Sequence, residues 1–152
     1  RQNFDASSDG YTNCNIVSAR SDDGLTFDLE PGIRVLQEQY LESYSLYAPE
    51  ILRLGDGGYR MYYAGWVAAP EVSAGSPYHG RIFSACSEDG LMWRKDPEIC
   101  IDNGGKWDRA KASEPCLIDL PDGRFRMFYE ACDGTAQDQR GVWRIGSATC
   151  VG

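Results

Sequence analysis

Residues 47–63 read YAPEILRLGDGGYRMYY, and residues 113–129 read SEPCLIDLPDGRFRMFY. The two stretches share a Pro, an Asp-Gly and an Arg-Met-x-Tyr at matching places, 66 residues apart. Residues 16–27 (IVSARSDDGLTF) and 82–93 (IFSACSEDGLMW) form a second pair with the same offset. Without any gap, 16 of the 51 positions in 16–66 are identical to their counterparts in 82–132. A constant period of this length predicts a repeat architecture.

The pattern inside each repeat is that of four short β-strands. Residues 59–66 (YRMYYAGW) alternate in polarity as a strand does, and a Gly-rich turn at 55–58 precedes them. Asp89-Gly90 marks a second tight turn, because Gly tolerates the positive φ that such turns need. Gly and Pro interrupt the chain about every ten residues, which disfavours helices. Four antiparallel strands per repeat predict a β-propeller blade, whereas a β-sandwich does not require a 66-residue repeat.

The expected fold is therefore all-β, a partial β-propeller forming one domain over residues 1–152, with repeats 16–81 and 82–147. These hold about two and a half blades, or nine strands, and a tenth if residues 1–6 form one. Propellers close with about four to eight blades. Two copies could complete five blades by homodimerisation through exposed edge strands. The rival interpretation is that the chain is a piece of a longer protein.

Charge and composition limit the partners. The net charge is −8, which argues against a nucleic-acid partner. No run of 18 apolar residues is present, so we expect no membrane-spanning helix. There is one His and no Cys-x-x-Cys pair, so neither a metal site nor a cofactor is expected.

Six cysteines leave two interpretations open. They would suit three disulfides in an oxidising compartment, which favours an extracellular or periplasmic location. Alternatively, several are small buried hydrophobic residues within strands. The sequence does not decide between the two.

The repeated motifs resemble those of the five-bladed β-propeller glycosidases, across residues 16 to 150. That superfamily includes arabinanase and xylosidase types, invertase and levanase types, and mannoside-phosphorylase types. The sialidase Asp-box is a poorer match, because Ser21-Asp22-Asp23-Gly24 has no residue between its second Asp and the Gly. The resemblance implies a carbohydrate-active protein that cleaves or binds glycosides at the mouth of a central funnel.

Two carboxylates become candidate catalytic residues through this resemblance. Ser113-Glu114-Pro115 resembles the acid motif of the superfamily, which would make Glu114 the general acid. Tyr47-Ala48-Pro49-Glu50 resembles its Trp-Ala-Pro-Asp pattern, so Glu50 would support that acid. Glu114 aligns with Ala48 rather than with Glu50, and a position that differs between repeats favours a site-specific role. Residues that do repeat, such as Asp23 and Asp89, are interpreted as scaffold that shapes turns.

A cluster ahead of Glu114 supplies candidate sugar-binding groups. An aromatic ring can stack on a sugar face while charged groups bind hydroxyls. The candidates are Trp107, Asp108, Arg109, Lys111 and Tyr47, and the cluster could equally be an exposed loop of alternating charge. Tyr40 and Tyr44 precede the strand that carries Tyr47-Ala48-Pro49-Glu50, and they either line the funnel or pack between blades.

The third carboxylate of the resembling enzymes lies on a strand that this chain does not include. One chain alone is thus expected to lack a full catalytic set. The alternative function is a non-catalytic propeller fragment that binds glycans or another protein.

Overall fold

The computed structural model describes residues 14–37, 41–42, 45–68, 78–134 and 142–149. Within these ranges every regular element is a strand and none is a helix, which confirms the all-β prediction. The strands are β1 (Ala19–Arg20), β2 (Asp28–Leu29), β3 (Ser45–Arg53), β4 (Tyr59–Ala68), β5 (Tyr78–Ser87), β6 (Arg94–Lys95), β7 (Lys111–Asp119), β8 (Phe125–Cys132) and β9 (Trp143–Thr149). Predicted features at residues 1–6, Tyr40 and Tyr44 fall outside the described ranges.

The strands form one small sheet and one large mixed sheet. Strands β1 and β2 pair with each other, and the remaining seven follow the order β3-β4-β5-β7-β8-β9, with β6 beside β5. Neighbours are antiparallel except β5 and β7, which meet in a parallel pair at Gly80 and Lys111. This arrangement is consistent with a partial β-propeller, in which β3–β6 form one four-stranded unit and β7–β9 belong to the next.

The inner strands begin earlier than the sequence predicted. Strand β3 starts at Ser45 and β7 at Lys111. These starts lie three residues before 48 and 114, where the apolar run 48–54 and the Glu114-Pro115 motif predict them. The first residues of these strands are polar, so the apolar runs do not include them. They belong to the strands because each pairs with a neighbouring strand: Ser45 lies opposite Trp66, and Lys111 lies opposite Cys132.

Several pairings recur with the 66-residue offset. Cys14 bridges to Ser45 in parallel, as Gly80 does to Lys111. Antiparallel bridges follow the same rule, joining Ile16 to Val35 and Ile82 to Ile101. The first strand of one unit therefore begins against the third strand of the unit before it.

The core consists of two clusters that lie on the sheet faces. Aromatic stacking of Tyr63 on Phe83, with ring centroids 5.8 Å apart, fills the larger one. Its buried members are Ile16, Val35, Leu46, Met61, Tyr63, Phe83 and Ala85, and those of the smaller one are Ile82, Ala112 and Met127. Burial of such side chains contributes about 1.5–3 kcal/mol each.

Two repeated turns have the structural role that the sequence predicted for their aspartates. The Asp23 carboxylate accepts hydrogen bonds from the backbone N–H groups of Leu25 and Thr26, at 2.8 and 2.9 Å. Asp89 accepts the equivalent bonds from Leu91 and Met92, both at 2.8 Å. The prediction that these aspartates shape turns is confirmed.

The described cysteines are Cys14, Cys86, Cys100, Cys116 and Cys132, and they form no disulfide with one another. Cys14 and Cys132 are buried. Cys150 lies outside the described residues. Within the described part of the chain, no helix is long and apolar enough to cross a membrane. The same residues contain no group of three or more His, Cys, Asp or Glu that could hold a metal ion.

Candidate functional site

A backbone bulge places Glu114 near the start of inner strand β7. Ser113 pairs with Glu130 and Cys116 pairs with Phe128, so Glu114 and Pro115 together lie opposite a single residue of β8. Glu114 has a φ of 51°, in the left-handed region that costs an L-residue about 1–2 kcal/mol. Strain of this kind is concentrated at functional sites.

The same bulge occurs in β3, at the matching position. Its register shifts between Tyr47 and Glu50, and Ala48 has a φ of 49°. A proline follows the strained residue in both strands, and proline suits a bulge because it has no N–H to leave unpaired. The bulge is therefore scaffold, and only its second copy carries a carboxylate.

The carboxyl group of Glu114 lies in a partly desolvated, negatively charged environment. Burial raises its pKa, and the nearby Glu130 raises it further. Both effects favour the protonated acid. Glu114 as a residue is nevertheless exposed, so its proton is within reach of a ligand.

Tyr47 approaches this carboxyl group from β3. Its hydroxyl oxygen is buried beside Ser113 but makes no hydrogen bond of ordinary geometry with the described residues. Burial raises its pKa far above the ordinary value, and the charges of Glu114 and Glu130 add to that shift. The ring packs edge-on against Trp66, with centroids 5.2 Å apart.

Lys111 is fully buried at the start of β7. Its ammonium nitrogen lies 4.3 Å from the ring centroid of Trp66 and 5.1 Å from that of Trp143. Burial lowers its pKa from 10.5 to about 8, and Cys132 and Glu130 partly oppose that shift. The residue was predicted in a loop cluster, but the structure places it inside the sheet, at the base of the site.

Trp107 remains outside, and half of its surface is exposed. The guanidinium carbon of Arg144 lies 4.6 Å from its ring centroid, and the Lys106 ammonium lies 4.7 Å away. Asp133 binds the same Arg144 at 2.9 Å, which fixes that guanidinium. Sugar stacking on Trp107 would therefore compete with cations that already contact the ring.

Asp108 has a structural partner. Its carboxylate accepts hydrogen bonds from the Tyr129 hydroxyl at 3.1 Å and from the Gly105 N–H at 2.9 Å. In the preceding repeat, Tyr63 donates to Glu42 at 3.2 Å, and both positions match with the 66-residue offset. This repetition favours a scaffold role for Asp108. Arg109, the next candidate, is exposed.

Glu50 is not among the groups whose charge shifts the pKa of Glu114. It pairs with Tyr62 across β3 and β4 and matches Cys116, not Glu114, in the second repeat. A cleft of about 840 Å³ lies between the two units and is lined by Tyr62, Leu117 and Met127 among others. Neither Glu50 nor Glu114 lines that cleft.

The sequence analysis missed three residues at this site: Glu130, Trp66 and Trp143. Two of them stand where the repeats differ, since Glu130 replaces Ala64 and Trp66 corresponds to Cys132. The criterion that selected Glu114 could therefore have selected both.

Solved structures of glycoside hydrolases share this fold. A structure named "Glycoside hydrolase" is 25% identical to the chain, with a TM-score of 0.61, and the match covers 86% of this chain and 34% of that one. A glycosyl hydrolase from Bacteroides ovatus is 19% identical, with a TM-score of 0.55 and coverages of 72% and 30%.

The chain has a glycosidase-like fold. It spans about a third of the length of the solved structures it matches. No model of a protein family and no curated protein matches the sequence.

Proposed function

We propose that this chain is part of a carbohydrate-active protein that cleaves glycosides, with Glu114 as its general acid. The observation that carries the proposal is the strained bulge, which holds a carboxylate in β7 and an alanine at the matching place in β3. A strained backbone position that gains a carboxylate in only one of two repeats favours chemistry over scaffold.

The local electrostatics suit that role. A general acid must hold its proton at the working pH and release it to the leaving oxygen. Burial and the charge of Glu130 raise the pKa of Glu114, so the acid form persists to higher pH. In the hydrolysis, the O–H bond of Glu114 breaks as the glycosidic C–O bond breaks, and the leaving oxygen gains the proton. A water oxygen bonds to the anomeric carbon, the proton that this water loses passes to solvent, and solvent returns a proton to Glu114.

Substrate contacts are proposed for the residues around Glu114. Tyr47 would support the substrate from the inner end of the site, where its hydroxyl is buried beside Ser113, while Lys111 would set the charge beneath the site. The outer rim would be formed by Trp107, Asp108 and Arg109, and the Asp108 carboxylate also accepts a hydrogen bond from the Tyr129 hydroxyl. Glu50 stays in the proposal as a supporting carboxylate on β3.

The proposal treats residues 1–152 as one domain with repeats 16–81 and 82–147. A closed ring of blades would need more strands than the described residues supply, and a second copy docking through edge strands is one proposed source. The solution mass, by size exclusion with light scattering, tests this part. A monomer would contradict closure by a second copy.

The second candidate is a propeller fragment that binds glycans without cleaving them. The supporting observation is that the chain spans about a third of the length of the matching hydrolases, so one copy need not hold every catalytic carboxylate. Under this reading the same rim residues bind sugar, and Glu114 performs no proton transfer.

A panel of aryl glycosides and polysaccharides separates the two candidates. We expect hydrolysis by the parent chain once a second copy or further blades complete its propeller, and loss of that hydrolysis in Glu114→Gln, with the circular dichroism spectrum unchanged. Saturation-transfer NMR that detects sugar binding without hydrolysis would favour the fragment. Neither binding nor hydrolysis across the panel would contradict both candidates.

A further inference from the structure

We infer that Glu130 is the positioning residue that serves Glu114, a role that the resemblance had given to Glu50. The inference deepens the proposed function and rests on it, since a positioning residue needs an acid to serve. Glu130 lies on β8, whereas Glu114 lies on β7.

The register of β7 and β8 carries the argument. Glu130 lies directly opposite Ser113, the residue immediately before the bulge. Residues directly opposite each other in an antiparallel pair share one face of the sheet. Glu130 therefore stands on the face of Ser113, next to the point where the chain turns out at Glu114.

Residues of β7, β8 and β9 lie next to Glu130 and Ser113 on this face of the sheet. Lys111 and Cys132 form the adjacent pair on the same face, and Trp143 lies opposite Cys132 on β9. Glu130 itself is half-buried, so water screens its charge only partly.

Among the described residues, Tyr47 on β3 and Glu130 on β8 interact with Glu114, and Lys111 on β7 interacts with Glu130. The tyrosine is neutral across the physiological range, as a phenol ordinarily is, and burial raises its pKa further. Glu130 is the group whose charge raises the pKa of Glu114, after burial.

The arrangement gives the two carboxyl groups different tasks. Two neighbouring carboxylates resist being ionised together, so a negative Glu130 keeps the proton on Glu114. The buried Lys111 interacts with Glu130 and offsets its charge. Glu50, placed opposite Tyr62, is not among the groups that act on Glu114.

The test is a carboxyl NMR titration of the chain labelled with ¹³C at glutamate Cδ, without substrate. The Glu114 resonance is assigned by its loss in Glu114→Gln. We expect Glu130→Gln to lower the titration midpoint of Glu114. Glu130→Asp, which keeps the charge, should restore part of the shift.

Two matched variants complete the design. Glu88→Gln removes the same charge from an exposed turn and should leave the midpoint unchanged. Glu50→Gln should also leave it unchanged, and a larger shift there than in Glu130→Gln would overturn the inference. An unmoved midpoint in folded Glu130→Gln would overturn it as well.

The NMR titration uses no glycoside substrate. Since no step requires catalysis, a failed glycosidase assay would bear on the proposed function and not on this coupling.

Discussion

Ala48 and Glu114 occupy the same place in two copies of one bulge, with φ angles of 49° and 51°. The backbone strain is therefore common to both repeats and does not depend on a carboxylate at the site. What differs is the side chain: the carboxyl group of Glu114 is partly desolvated, although the residue as a whole is exposed. The bulge thus occurs in both repeats, but only the second copy carries a carboxylate.

Tyr47→Phe should separate binding from stability. The buried hydroxyl makes no ordinary hydrogen bond with the described residues, so its removal should leave the free energy of unfolding unchanged or raise it by up to about 1 kcal/mol. Glycoside binding should weaken, measured by titration calorimetry. Tyr129→Phe is the matched control, because it breaks a bond to Asp108 and should cost about 1 kcal/mol. A larger loss for Tyr47→Phe than for the control would contradict this account of the hydroxyl.

Lys111→Met should flatten part of the dependence of stability on pH. Burial lowers the pKa of Lys111 from 10.5 to about 8, so the unfolded chain holds that proton more tightly. The stabilising contribution is present above pH 10.5 and is lost as the pH falls through about 8. Parent stability, relative to the variant, should therefore rise with pH between these values, by up to about 1.4 kcal/mol per pH unit.

Denaturant unfolding at several pH values measures that difference. Lys106→Met, at an exposed lysine, should leave the slope of the parent unchanged. Equal slopes for the parent and Lys111→Met would show that the ammonium is not buried in solution.

Gly80→Ala should destabilise the fold by about 1–3 kcal/mol. A Cβ at Gly80 would meet the Trp66 Nε1 at 2.9 Å and the Ala112 carbonyl oxygen at 3.3 Å. Both groups lie where β5 meets β7, so the added methyl group would force Trp66 and the Ala112 backbone away from Gly80. Gly55→Ala is the control, since nothing lies within 4 Å of its added Cβ. Thermal melts that do not distinguish the two variants would contradict the close packing at Gly80.

The all-β class and the turns at Asp23 and Asp89 could be predicted from the sequence, because they depend on local patterns. The bulges at Ala48 and Glu114 were not predicted. The sequence could not place residues whose environment comes from distant strands. Lys111 looked like a loop charge because its burial depends on Trp66 and Trp143, which come from β4 and β9. Asp108 looked like a sugar ligand, and its bond to Tyr129 follows only from the register of the sheet.

Residues that match between the two repeats also differ in how deeply they are buried. Trp93 and Phe27 align, and the sequence predicts a core position for both. Trp93 packs against the larger core cluster and donates from its indole N–H to the Gly90 carbonyl at 2.9 Å. Phe27 is 60% exposed, because the strands that pair near it, β1 and β2, are only two residues long.

Proton donation by Glu114 in glycoside cleavage is best tested by the pH–rate profiles of the parent and Glu114→Gln chains. The parent rate should fall as the pH rises through the raised pKa of Glu114, because the acid form is then lost. Glu114→Gln should be slower by about 10²–10⁴-fold and should lack that alkaline limb. A folded Glu114→Gln chain that keeps the parent rate and the parent profile would contradict the assignment of Glu114 as the acid.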